Sequence, residues 1–153
     1  WLPDHETLIG RLFDRVAEGG ALAVQVPANS NSPLHQAVLR TARSPEWRET
    51  TACCEGLITY HNADFYYDRL SALAGRVDIW ETTYFHVMES MRDLVEWYAS
   101  TGLRPYLDRL AGDSERETFI KQILDECASG YPLRRDGRVL FPFKRLFFIA
   151  TRD

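Results

Sequence analysis

The stretch VDIWETTYFHVM at residues 77–88 limits the fold more than any other part of the chain. Side chains on a strand alternate between its faces. Val77, Ile79, Phe85 and Val87 therefore share one side, expected to bury against helices. Asp78, Trp80, Thr82, Tyr84, His86 and Met88 share the other. A face carrying Trp, Tyr and His in step is an ordinary half-buried aromatic strand, a surface covered by another layer, or the wall of a pocket. A long helical segment, residues 89–137, separates this strand from a second one, VLFPFKRLFFIAT at 139–151. The continuous apolar run from Leu146 to Ala150 predicts burial on both faces and hence a central place in the sheet. Pro142 lacks an N–H and predicts a bulge or an unpaired start.

The rest of the chain supplies helices and one more strand. Asp4 is a good N-cap for a helix carrying Leu8, Ile9, Leu12, Phe13 and Val16 at helical spacing, stopped by Gly19-Gly20. ALAVQV at 21–26 follows as a short buried strand. Ser32-Pro33 opens a helix running to Ala42, and 44–62 is a loop with room for one helical turn. Residues 63–75 form a helix that ends at Gly75. In the long segment, Ser90 with Asp93 and Ser114 with Glu117 are capping-box pairs, and Leu103–Leu110 is a short helix between them. Asp136-Gly137 marks the turn into the last strand. The predicted order is αβ, α, α, β, helical insertion, β: an α/β domain with a sheet of about three strands.

Length and charge exclude several classes. At 153 residues the chain is one domain with a real core. It has no apolar run long enough to span a bilayer and no signal peptide. Cys53, Cys54 and Cys127 are too few and too irregular for a disulfide framework or a metal site, which points to free thiols in a reducing cytoplasm. The net charge of −4 argues against nucleic acid as a partner. The charge is uneven, because residues 131–153 hold six cations against two carboxylates and the first 130 residues carry −8. Such a basic tail suits a small anionic ligand, or is simply solvated surface.

The segments WLPDH, GGALAVQVPAN, FYYDRL, VDIWETTYFHVM, TGLRPYL and GRVLFPFKRLFFIATR resemble the C-terminal half of bacterial trans-aconitate methyltransferases, class I enzymes dependent on S-adenosylmethionine. The resemblance covers nearly the whole chain and is weakest at 44–62. It implies a Rossmann-like sheet whose C-terminal part spans 1–88 and 138–153, with 89–137 as a helical cap insertion. The strand at 21–26 would be the family's fifth and that at 77–88 its sixth, with the last strand antiparallel between them. The family's glycine-rich cofactor loop precedes WLPDH, and this sequence contains no G-x-G. The resemblance therefore implies a piece lacking the main cofactor half, inactive alone and able to self-associate through an open sheet edge. Trp1 is placed near S-adenosylmethionine on the same ground.

The implied chemistry is esterification of a carboxylate of trans-aconitate or a similar small polycarboxylate. A carboxylate with a pKa near ~4 is ionised at neutral pH and needs no general base to attack a sulfonium methyl. The protein must align the reactants and neutralise the remaining carboxylates, a task suited to arginine forks, tyrosine hydroxyls and histidine. Arg104, Arg145, Tyr84 and His86 are the candidates, with Tyr66, Tyr67, Trp80 and Trp97 as walls. Each has a structural alternative: Arg104 pairing with Asp108, Arg145 in a salt bridge, His86 as packing, and one of Tyr66 and Tyr67 in the core. Two other classes stand beside this one: a binding or dimerisation module derived from the same half-fold, and a hydrolase using His61 or His86.

Overall fold

The computed structural model describes residues 2–153, so the expectation placed on Trp1 lies outside the described residues. The chain divides into two compact units. The first contains residues up to Asn29, Thr59–Tyr84 and Phe143–Asp153; the second contains Ser30–Ile58 and Phe85–Pro142. The structure is α/β, with a three-stranded sheet in the order β1 (Ala21–Pro27), β3 (Val139–Thr151), β2 (Arg76–Met88). β3 is central, as its apolar run predicted, and pairs antiparallel with β1 from Ala21↔Thr151 to Pro27↔Arg145. Pro142 lies beyond the last of these pairs, so its missing N–H costs no bond to β1.

In the first unit, α1 (His5–Phe13) and α4 (Ala63–Leu70) pack against each other. Asp4 caps α1 as expected, its Oδ1 accepting from the Thr7 N–H at 3.2 Å, with Asp4 itself at φ 52°. Asn62 caps α4 through the Phe65 N–H at 3.1 Å. The core joins Ile9 and Phe13 of α1, Tyr66 and Leu70 of α4, and Leu146, Phe148 and Ala150 of β3. Val77 and Ile79 of β2 and Leu22, Val24 and Val26 of β1 pack around it. Only one face of β3 is fully buried here, since Phe147 and Ile149 remain partly exposed. The expectation of complete burial on both faces is corrected to that extent.

The second unit is mainly helical. It comprises α2 (Pro33–Ala42), α3 (Arg48–Thr51), α5 (Met91–Ala99), α6 (Arg104–Leu107) and α7 (Asp113–Cys127). α2 and α7 form its main helix pair. Ser32 and Ser90 cap α2 and α5 as predicted, accepting from His35 N–H at 3.2 Å and Asp93 N–H at 3.1 Å. The cap of α7 differs from the prediction. The helix begins after Gly112, and Glu115 rather than Glu117 reaches back, its Oε2 accepting from the Ala111 N–H at 2.8 Å. The loop at 44–62 contains α3 and a 3₁₀ turn at Ala52–Cys54.

β2 departs from its sequence reading at one end. Val77 and Ile79 face the first unit's core, whereas Phe85 and Val87, expected on the same buried side, are 61% and 60% exposed. At that end it is His86 and Met88 that are half-buried. The covered side depends on which side chains lie opposite, and a period of two cannot supply that.

Phe148 has no exposed surface and stacks on Tyr66 with ring centroids 4.7 Å apart. Phe148→Ala should cost about 3–5 kcal/mol of unfolding free energy. Urea denaturation measures this, and a loss under about 1 kcal/mol would contradict the described core.

Candidate functional site

In the first unit β3 turns Phe143, Arg145 and Phe147 away from the buried side that carries Leu146 and Phe148. The Arg145 Nη1 donates to Gln25 Oε1 at 2.7 Å, and its guanidinium lies 4.9 Å from the Phe143 ring centroid. Gln25 stands opposite Phe147 in the sheet register. Trp80 of β2 stacks on Phe147, centroids 5.4 Å apart and planes 8° from parallel, and stays 44% exposed. Tyr84 is similarly exposed. Beside them Lys144 is tied to Glu81 at 3.0 Å. Arg145 is thus held by a neutral amide and an aromatic face, with no carboxylate partner among the described residues. Its charge remains available to an anion.

The other candidates in this unit are placed differently. Tyr66 is core: it is 1% exposed, and its hydroxyl lies 2.8 Å from His5 Nδ1. Burial pushes its phenol up to about 12. The structural alternative weighed for the Tyr66-Tyr67 pair therefore applies to Tyr66, while Tyr67 is half exposed. His61 stacks on Phe65 at 3.6 Å with planes 7° apart and lies 5.2 Å from His5. Burial, and then the neighbouring His5, lower its pKa.

In the second unit His86 sits among rings: Trp97 at 5.6 Å and Phe141 at 6.3 Å, with Trp97 and Tyr131 each edge-on to Phe141 at 5.7 Å. Arg104 is on the surface and faces Asp108 at 3.6 Å, the pairing its i,i+4 spacing offered. It has a carboxylate partner where Arg145 has none.

Three polar groups that the sequence reading passed over sit inside this unit, Tyr98 and Tyr131 buried and His35 half-buried. His35 Nδ1 lies 3.1 Å from the Tyr98 hydroxyl, and the Tyr131 hydroxyl accepts from the Leu34 N–H at 3.1 Å. Burial lowers the His35 pKa and raises that of Tyr131. The one available signal was a Tyr at position 98 on the inward stripe of α5 with Leu94 and Val95, a place where a hydroxyl needs a partner.

Among the described residues no group of three or more His, Cys, Asp or Glu is placed to hold a metal, and no helix is long and apolar enough to cross a membrane. The cysteines are free thiols; burial raises Cys54, and raises Cys127 to about 11, the reverse of nucleophile activation.

No protein-family model matches the chain. It is similar to curated proteins named trans-aconitate 2-methyltransferase. It is 44% identical over 154 residues to that of Rhizobium etli, 42% over 153 to that of Methylobacterium nodulans and 41% over 152 to that of Azoarcus sp.. Each alignment takes in 99% of this chain and 59% of the relative, so the chain spans about three-fifths of their length and matches their C-terminal part.

The half-buried His35 generates a pH prediction. Its folded pKa lies below the ordinary value of 6.5, so protonation favours the unfolded chain. Its contribution is present above about pH 6.5 and is lost as the pH falls through the folded pKa. His35→Gln should flatten the acid limb of the stability–pH curve below about pH 6.5. An unchanged limb would remove His35 from the titrating groups.

Proposed function

We propose that this chain is the C-terminal part of an S-adenosylmethionine-dependent methyltransferase that esterifies a carboxylate of trans-aconitate or a similar small polycarboxylate. The observation that carries the reading is the alignment of 99% of the chain with proteins of that name at 41–44% identity. The structure supplies a compatible charge. Arg145, free of any carboxylate partner among the described residues, can neutralise one carboxylate of the substrate while another attacks. Trp80 and Phe147 offer a flat apolar wall beside it, and Tyr84 an exposed hydroxyl. His86 belongs to the proposed substrate set through its ring cluster, and Arg104 only if Asp108 releases it.

S-adenosylmethionine would supply the methyl group on its sulfonium. The 153 residues do not by themselves fit that cofactor, since they contain no G-x-G turn through which a backbone could approach its methionine tail. On this reading the main cofactor contacts belong to the part of the methyltransferase that this chain does not align with. The reading places the protein in the cytoplasm, where the cofactor is made available.

One observation favours a second reading, a binding or dimerisation module. Among the described residues β1 lies at the end of the strand order and pairs with β3 alone, and its outward residues Ala21, Ala23 and Gln25 carry no charge. An uncharged open edge pairs readily with another chain.

Two outcomes are expected. In a full-length methyltransferase carrying this sequence, Arg145→Ala should weaken tricarboxylate use by on the order of 1.5–3 kcal/mol, roughly ten- to a hundredfold in KM, with cofactor affinity kept. Arg104→Ala should do less, and loss of cofactor binding with KM unchanged would reverse the assignment. The 153 residues alone should bind no S-adenosylhomocysteine in calorimetric titration and should self-associate in light scattering. A monomer that binds it tightly contradicts both halves.

A further inference from the structure

The basic excess near the chain's end has its own surface in the second unit. Val87 and residues 133–136 and 138–140 line a groove of about 700 Å³. Its apolar part is open: Leu133 is 64% exposed, Val87 60% and Leu140 36%. Its charged part is a tight turn. The Arg134 C=O accepts from the Gly137 N–H at 2.9 Å, and the Arg134 N–H donates to the Arg138 C=O at 2.8 Å. Gly137 takes φ 80°, a conformation that suits glycine, and the Asp136 Oδ1 accepts from the Arg138 N–H at 3.1 Å.

The turn fixes the backbone beneath two arginines whose side chains are not engaged. Arg138 is neutralised by Glu89 at 3.1 Å. The guanidinium groups of Arg134 and Arg135 have no hydrogen-bond or ion-pair partner among the described residues. Asp136 offsets part of their charge, but its Oδ1 is already occupied by the backbone.

We propose that this groove binds an anionic amphiphile, a carboxylate on a hydrocarbon body, with the head on Arg134 and Arg135 and the body on Val87, Leu133 and Leu140. Each half of the site excludes a simpler ligand. A small polyanion gains nothing from three exposed aliphatic side chains, and a neutral hydrocarbon leaves two arginine forks without a use. The volume lies in the range of small-molecule sites, about 300–1,000 Å³. The proposal does not depend on the methyltransferase reading, because neither arginine belongs to the proposed substrate set.

The test is calorimetric titration of the protein with octanoate, octanol and citrate. Octanoate should bind saturably at one site per chain, and more tightly than either of the others. The double variant Arg134→Gln/Arg135→Gln should lose at least tenfold in octanoate affinity, and Leu140→Ser should weaken it while both charges remain. Both arginines are exposed, so the double variant should keep the wild-type circular dichroism spectrum. Octanol binding as well as octanoate, citrate binding as well as octanoate, no saturable octanoate binding, or an unchanged double variant would each overturn the proposal.

Discussion

The register between β1 and β3 is the constraint on which the first unit depends. Seven consecutive pairs, Ala21↔Thr151 to Pro27↔Arg145, fix which side of β3 meets the helices. In this register Leu146, Phe148 and Ala150 fill the core with Ile9, Phe13, Tyr66 and Leu70. A slip of one residue would exchange the two faces and drive Arg145 into that core. The same pairing that buries Phe148 therefore leaves Arg145 on the opposite face, within reach of Gln25. Stability and the placement of the candidate charge come from one set of hydrogen bonds.

The second unit is organised by side chains that satisfy buried polar groups at a distance. Thr51 donates its hydroxyl to Ala42 C=O at 2.8 Å, Trp47 its indole N–H to Gln122 Oε1 at 2.6 Å, and Cys54 contacts the Pro105 carbonyl at 3.2 Å. With Tyr131 on the Leu34 N–H, these bonds tie segments that the helix pairing alone would leave free to slide. An unmade buried bond costs about 1–3 kcal/mol, so each also penalises a misplaced loop. Exposed pairs such as Arg43–Glu55 at 2.8 Å contribute far less.

What the sequence disclosed was local. The caps at Asp4, Ser32 and Ser90 sit within a few residues of the N–H groups they serve, and the 2- and 3.6-residue periods located the strands and most helices. Arg104 with Asp108 was legible for the same reason. The misses are long-range. Tyr66 joins a core built from distant segments, its hydroxyl beside a histidine 61 positions away, and His35 meets Tyr98 across 63 positions. Phe85 and Val87 were assigned to a buried side because alternation identifies faces but not what covers them. At α7 three acidic residues, Asp113, Glu115 and Glu117, lie near the start, and the helix beginning after Gly112 has Glu115 reaching back.

The contrast between Arg145 and the paired arginines bears on what a carboxylate-recognising surface needs. A guanidinium already facing a carboxylate must give up that partner before it can hold a substrate, and the exchange returns little net energy. Arg104 is in that position, as is Arg92 between Glu96 and Glu117. Arg145 is oriented instead by an amide oxygen and a ring face, which fix direction without cancelling charge. Its planar fork keeps donors for a bidentate contact when one is spent on Gln25. On the proposed reading, an ionised carboxylate would need no base to react with a sulfonium methyl, and preorganised, uncancelled positive charge is what Arg145 would contribute.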